Sequence, residues 1–202
     1  MQPLEIEVKF YLEDRNAVRE KILDLGAESR GRFFESNTRF EDRDRSLVKR
    51  RSLLRLRRDD RVRLTFKSEP EERDPRFKVY RELETQVGDF ETMESILAAL
   101  GFFPDQRYEK YREALVLGDT QFCLDEMPFG DFLEIEGAKD EILKMVAALR
   151  LNWEERILFN YLKMFETIKQ KEDLRFNDLT FDNFEGVSVD FTRHLSLFTE
   201  GK

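Results

Sequence analysis

The fold is decided by the segment Leu4-Glu5-Ile6-Glu7-Val8-Lys9-Phe10, in which apolar and charged residues alternate strictly. A period of two over seven residues is typical of a β-strand with one apolar and one charged face. The charged face carries Glu5, Glu7 and Lys9. An amphipathic stretch then begins at Asp14 and ends at Gly26, which predicts a helix.

The same strand–helix unit recurs along the chain. Glu82-Leu83-Glu84 precedes an amphipathic stretch from Asp89 to Gly101, and a shift of 75 residues (89 − 14 = 75) aligns Asp89 with Asp14. A looser third copy follows Glu134-Ile135-Glu136. Three Glu-x-Glu strands, each followed by a helix, predict an internally repeated architecture.

Further strand candidates have one apolar and one charged face, and they lie at 32–42, 52–58, 61–68, 77–87, 106–117, 120–126 and 131–137. Helix candidates lie at about 14–25, 89–100, 139–149 and 154–171. The charged strand faces are exposed either to bulk water or to the inside of a closed barrel. The closed barrel is favoured because it leaves no exposed sheet edges. We therefore predict an α+β fold, an eight-stranded antiparallel closed β-barrel with helices packed outside. The barrel domain is expected at 1–172, with an extension at 173–202 that wraps the barrel and frays at its end.

Composition narrows the function. The chain has 35 Lys and Arg against 43 Asp and Glu, a net charge of -8, which disfavours a globally basic nucleic-acid-binding protein. One cysteine and one histidine exclude a disulfide framework and a His-rich metal site, so a metal would bind carboxylates, as Mg²⁺ or Mn²⁺ do. The apolar run 96–103 is too short to span a bilayer. No signal-peptide pattern opens the chain, so we expect a cytoplasmic monomer or homodimer without a membrane partner.

The predicted inner strand faces carry equal numbers of acidic and basic residues. The seven carboxylates are Glu5, Glu7, Glu82, Glu84, Asp125, Glu134 and Glu136, and the seven cations are Lys9, Arg55, Arg57, Arg63, Lys67, Lys110 and Arg112. Enclosed charges are costly unless they are paired or bind a ligand. Carboxylates bind hard cations, while guanidinium and ammonium groups bind phosphate oxygens. The pattern favours a site for a metal–polyphosphate, with salt bridges in a packed barrel as the simpler alternative.

The order of these motifs resembles the CYTH superfamily, the triphosphate tunnel metalloenzymes. The resemblance rests on Glu5-Ile-Glu7-Val-Lys9, Leu54-Arg55-Leu56-Arg57, Leu64-Thr65-Phe66-Lys67, Arg81-Glu82-Leu83-Glu84, Glu109-Lys110-Tyr111-Arg112, Leu124-Asp125-Glu126 and Phe132-Leu133-Glu134-Ile135-Glu136. It implies an eight-stranded barrel with a charged tunnel and a divalent-metal-dependent reaction on a triphosphate. One departure is the second strand, Asn37-Thr38-Arg39-Phe40-Glu41-Asp42, where many relatives have an aspartate–tyrosine pattern.

The resemblance also implies residue roles. Glu7, Glu134 and Glu136 resemble ligands of the substrate-orienting metal, and Glu5 and Asp125 are expected to position a second metal and the attacking water. The expected phosphate clamp comprises Lys9, Arg55, Arg57, Lys67, Lys110 and Arg112. Lys9 is also expected to act in catalysis. Arg63 is added to the clamp because strand alternation places it on the inner face. Glu82 and Glu84 are expected to orient these cations.

Three functions remain open at this point. The leading one is hydrolysis of inorganic triphosphate or a small organic triphosphate, with tripolyphosphate, ATP or thiamine triphosphate as the partner. The alternatives are a class IV adenylyl cyclase and a polyphosphate- or nucleotide-binding module without turnover. Tyr108, Tyr111 and Tyr161 are expected to pack in the fold, or else to contact an organic group. His194 is expected at the surface and Cys123 as a small filler.

Overall fold

The computed structural model describes residues 4–71 and 74–199, and its eight strands form a closed antiparallel barrel. The strands are β1 (Leu4–Leu12), β2 (Glu28–Glu41), β3 (Ser52–Arg58), β4 (Val62–Ser68), β5 (Lys78–Val87), β6 (Phe103–Leu117), β7 (Thr120–Met127) and β8 (Gly130–Glu136). Their order around the barrel is β1-β5-β4-β3-β2-β6-β7-β8, and β8 pairs with β1 with Lys9 opposite Glu134. The predicted fold class is confirmed.

The helices are α1 (Arg15–Asp24), α2 (Ser46–Lys49), α3 (Phe90–Ala99), α4 (Lys139–Ala148) and α5 (Tyr161–Lys171). The repeated units are present, because α1, α3 and α4 each follow a Glu-x-Glu strand. Asp14 and Asp89 cap the first two by accepting hydrogen bonds from backbone amides three residues on, at 2.9 and 2.7 Å. The third copy is looser: α4 begins after Ala138, which offers no side-chain cap.

The apolar strand faces point outward and are covered by these helices. Ile22 of α1 and Ile142 of α4 pack with Val8, Leu124 and Ile135 in one fully buried cluster. The helix α3 covers β3 and β4 through a second cluster. Burial of the apolar faces against helices leaves the charged faces pointing into the barrel.

One helix prediction is wrong. Residues 154–171 do not form a continuous helix: a 3₁₀ turn at Trp153–Glu155 is followed by an irregular segment, and α5 starts at Tyr161. The backbone N–H of Ile157 donates to the carbonyl of Lys9 at 2.7 Å, so this segment joins the barrel wall. Asn160 then caps α5 by accepting from the amide of Lys163 at 2.8 Å.

The helix α5 and the following chain close one end of the barrel. A third apolar cluster joins Phe132 of β8 with Phe165 of α5 and with Phe184, Phe191 and Phe198 of the extension. The division at residue 172 stays a prediction, and residues 200–202, expected to fray, lie outside the described residues. No helix in the described ranges is long and apolar enough to cross a membrane.

The expected surface position of His194 is wrong. The side chain is buried, with Nε2 2.6 Å from Oε1 of Glu172 at the end of α5. The tail folds back onto α5, which removes this ring from solvent.

Candidate functional site in the charged tunnel

The inner strand faces enclose a cavity of about 330 Å³. The predicted site residues that line it are Glu5, Glu7, Lys9, Arg55, Lys67, Lys110, Arg112 and Glu134. The predicted site residues outside this lining are Arg57, Arg63, Glu82, Glu84, Asp125 and Glu136. The structure therefore brings residues from β1, β3, β4, β6 and β8 to one enclosed space.

Glu134 lies between two cations of the cavity wall. Its Oε1 is 2.8 Å from Nζ of Lys9, and its Oε2 pairs with the guanidinium of Arg112. Burial disfavours the ionised carboxylate, but Lys9 and Arg112 outweigh burial and hold the pKa of Glu134 well below its ordinary value. Glu134 is thus an anion at neutral pH that links two candidate phosphate-binding groups.

Asp125 is completely buried behind that wall and is saturated with donors. Arg112 donates to both of its oxygens, from Nε at 2.6 Å and from Nη2 at 2.5 Å. Nζ of Lys110 lies 2.9 Å from Oδ2, and the hydroxyl of Tyr161 donates to the same oxygen at 2.7 Å. Asp125 therefore fixes the positions of two cations.

Two lysines form ion pairs with the carboxylates of β1. Lys67 pairs with Glu5 and, at 2.9 Å, with Glu82, while Lys78 pairs with Glu7 at 2.5 Å. Burial lowers the pKa of Lys78, but Glu7 outweighs burial, so the pKa is raised overall. Each carboxylate therefore has an ammonium partner, and Glu5 shares its partner with Glu82.

Glu136 is different. It lies directly opposite Glu7 across the β1–β8 pair, and within the described residues its carboxylate has no ion pair or hydrogen bond. Burial, followed by the charges of Glu5 and Glu7, raises the pKa of Glu136 to about 7. This corner of the barrel therefore has an excess of negative charge.

The raised pKa of Glu136 predicts a pH-dependent loss of stability. A carboxyl group with a pKa of about 7 in the folded chain and an ordinary value of 4.5 destabilises the fold as pH rises between those values. We expect Glu136→Gln to gain roughly 2–3 kcal/mol over the wild type above pH 7 and little below pH 4.5. Urea unfolding in EDTA at a series of pH values measures this difference.

The control is Glu141→Gln on α4, outside the barrel, where the carboxylate pairs with Lys144; this variant should not reproduce the gain in stability above pH 7. A difference between Glu136→Gln and wild type that stays constant from pH 5 to pH 8 would contradict the prediction.

The basic side of the tunnel contains donors without a partner. Arg55 donates from Nη1 to the hydroxyl of Tyr108 at 3.1 Å, while its buried Nε has no hydrogen-bond partner among the described residues. Arg57 donates from Nε to Oδ1 of Asn37 at 3.2 Å, and in the same described part of the chain the amide Nδ2 of Asn37 has no partner either. Glu35 lies 3.4 Å from Arg57. Unsatisfied buried donors are costly, so this side of the tunnel has hydrogen-bonding capacity that the described residues leave unused.

The remaining acidic and basic positions support these groups. Glu84 accepts from Thr65 at 2.8 Å and lies 3.9 Å from both Arg55 and Arg63. Arg63 itself pairs with Asp59. These contacts lie along the wall beside the cavity.

Sequence reasoning missed several lining residues. Lys78 and Tyr80 share the parity of Glu82 on β5, so the alternation carried a signal for both. In the same way, Arg39 shares the parity of Asn37 on β2. Tyr161 was expected to pack in the fold or to contact an organic group; strand alternation carries no signal for its place in the lining, which depends on how α5 packs.

The tyrosines separate into two groups. Tyr108 and Tyr161 line the cavity, whereas Tyr111 packs outside the barrel against Phe34 and Phe181. Cys123 is buried on the inner face, and burial raises the pKa of its thiol to about 12, which disfavours the thiolate nucleophile.

The sequence pattern of the CYTH domain matches residues 3–158, well over half of the chain. The chain belongs to the CYTH family. A protein of Methanocaldococcus jannaschii whose name proposes adenylate cyclase activity is 28% identical over 173 residues, covering 80% of this CYTH chain and 98% of that protein.

Solved structures share the CYTH fold. A Vibrio parahaemolyticus protein whose name also proposes adenylate cyclase activity has a TM-score of 0.72 at 18% identity, covering 82% of this chain and 99% of that chain. A Hippeastrum protein, described as an adenylyl cyclase candidate with dominant triphosphatase activity, has a TM-score of 0.57 at 17% identity, covering 81% and 95%. At these identities the two structures establish the fold.

The acidic corner of this CYTH tunnel suits a hard divalent cation. Its donors are carboxylate oxygens, and Glu136 lies opposite Glu7 while the lysines of this corner, Lys67 and Lys78, pair with Glu5 and Glu7. In the described ranges, no three Asp, Glu, His or Cys side chains are already grouped as metal ligands. A cation would bind here in competition with Lys67 and Lys78.

Proposed function

We propose that the chain is a divalent-metal-dependent hydrolase of inorganic triphosphate or a small organic triphosphate. The observation that supports this most strongly is one cavity lined by both cations and carboxylates from several strands of the barrel. Arg55, Lys110 and Arg112 line the same space of about 330 Å³ as Glu5 and Glu7. A triphosphate neutralised in part by Mg²⁺ or Mn²⁺ has the matching distribution of charge.

The cations of the wall would bind the phosphate chain. Arg55 is held in place by the hydroxyls of Tyr108 and Thr65, and Lys110 and Arg112 are held in place by Asp125, so these cations are pre-organised for an anion. Arg57 and Arg63 would support the clamp from beside the cavity, and Lys67 would reach phosphate once it is released from Glu5. Glu82 and Glu84 would orient these cations.

The carboxylates would hold the metal. We assign this role to Glu7, Glu134 and Glu136, with Glu5 beside them. When bound, the metal supplies Lewis-acid activation of the reacting oxygens. The sequence suggested that Asp125 also ligates a metal; since four donor contacts saturate its buried carboxylate, we propose that Asp125 positions Arg112 and Lys110 instead.

The reaction itself is a displacement at phosphorus. The oxygen of water bonds to the terminal phosphorus while the anhydride P–O bond breaks, and the leaving diphosphate, free or organic, takes the bonding electrons. We propose that the carboxylate of Glu5 orients this water and accepts its proton. Lys9 and Arg112 would offset the charge that develops on the transferred and leaving oxygens.

A class IV adenylyl cyclase is the second candidate, because of the name of the Methanocaldococcus jannaschii relative. The cavity also has apolar lining from Val48, Leu53 and Leu162, against which a base would pack. A cyclase must in addition orient the ribose 3′-hydroxyl for attack on the α-phosphate.

One assay separates these functions. Purified protein with Mg²⁺ or Mn²⁺ is given tripolyphosphate, ATP or thiamine triphosphate, and orthophosphate, pyrophosphate and cyclic AMP are each quantified. We expect orthophosphate release that EDTA abolishes. Cyclic AMP with pyrophosphate would establish the cyclase instead, and binding without product would establish a binding module.

A further inference from the structure

The segment that interrupts the expected helix 154–171 runs along the barrel wall beside Lys9 and reaches the cavity at Asn160. Ile157 pairs with the backbone of Lys9, and the carbonyl of Phe159 accepts a hydrogen bond from Nζ of the same lysine at 3.3 Å. Asn160 then caps α5, so Tyr161 is its first residue. The start of α5 is thereby fixed against the cations of the cavity wall.

The side chain of Tyr161 contacts two of these cations and the carboxylate behind them. Nζ of Lys9 lies 4.1 Å from the ring centroid, and Nζ of Lys110 lies 5.3 Å from it. The hydroxyl donates to Asp125, which also binds Lys110. Only 6% of Tyr161 is exposed, so water does not screen these contacts strongly.

We propose that Tyr161 is a positioning residue that holds Lys9 and Lys110 ready for the phosphate chain; this inference rests on the proposed function. The face of an aromatic ring attracts an ammonium group through its quadrupole but carries no net charge. Tyr161 therefore orders both lysines without cancelling the positive charge that an anion needs. A carboxylate in the same place would cancel it.

Three variants test the proposal by calorimetric titration with Mn²⁺ and a non-hydrolysable tripolyphosphate analogue, because tripolyphosphate itself would be consumed during the titration. Tyr161→Leu removes the ring and the hydroxyl, and we expect about a tenfold rise in Kd. Tyr161→Phe keeps the ring, and its Kd should rise no more than about threefold. Phe165→Leu is the matched control, because Phe165 is a buried aromatic residue on the same helix that does not line the cavity. It should lower Tm and leave Kd unchanged.

A fourth protein isolates the electrostatic role. Trifluorophenylalanine at position 161 keeps the shape of phenylalanine but weakens the negative potential of the ring face, so its Kd should exceed that of Tyr161→Phe. Equal Kd values for these two proteins, an unchanged Kd in Tyr161→Leu, or an equal rise in Phe165→Leu would each overturn the proposal. The calorimetric titration measures binding and not turnover. If the wild type binds but releases no orthophosphate from tripolyphosphate, the hydrolase is rejected, and the Kd values of the variants still decide the role of Tyr161.

Discussion

Glu134→Gln is expected to lower kcat for metal-dependent triphosphate hydrolysis by on the order of 10²–10³. The amide keeps the shape of the side chain, but it removes the anion that holds Lys9 at 2.8 Å and pairs with Arg112. It also removes a proposed metal ligand. Since the cavity becomes less negative, KM should not rise, so the loss appears in kcat alone.

The matched control is Glu113→Gln. Glu113 is also a buried, arginine-bound glutamate, but it pairs with Arg19 of α1 on the outside of the barrel. This variant should lose stability and keep its kcat. A near wild-type kcat in Glu134→Gln, or the same loss in both variants, would exclude Glu134 from the reaction.

Arg55→Ala is expected to raise KM roughly 10- to 100-fold, the range for loss of hydrogen bonds to a charged group. Arg55 lines the cavity, and its Nη atoms donate to the hydroxyls of Tyr108 and Thr65, which do not neutralise its positive charge, so this charge can attract phosphate. Arg57 is held by Asn37 and Glu35 outside the lining, so Arg57→Ala should raise KM less. Steady-state kinetics with tripolyphosphate and Mn²⁺ measure both effects.

Arg58→Ala provides the control on the same strand. Arg58 points outward, where it pairs with Glu91 and lies over the ring of Phe90. Its removal should leave KM unchanged. The clamp assignment fails if Arg55→Ala binds triphosphate as tightly as Arg58→Ala does.

The barrel could be predicted because alternation is a local property. In the first strand, Val8 and Lys9 must face opposite sides, and the helices that follow need the apolar face. The same alternation predicted that Glu134 and Arg55 face the inside of the barrel. It would also have identified Lys78, whose parity matches that of Glu82.

The contacts of the site are not local, and the sequence did not contain them in a readable form. Which lysine pairs with Glu7 depends on the register between β1 and β5, where Lys78 lies opposite. The burial of Asp125 depends on α5, whose start was misplaced even though Asn160 is a typical capping residue. Strand alternation therefore predicted that Asp125 faces the inside of the barrel. It did not predict that hydrogen-bond donors saturate its carboxylate.

The central claim is that metal and triphosphate bind together inside the barrel. Anomalous diffraction from crystals grown with Mn²⁺ and a non-hydrolysable tripolyphosphate analogue tests it directly. We predict a manganese peak beside Glu7 and Glu136 and phosphate density against Arg55 and Lys110. Manganese and phosphate bound elsewhere, with the tunnel still closed by its own ion pairs, would contradict the account.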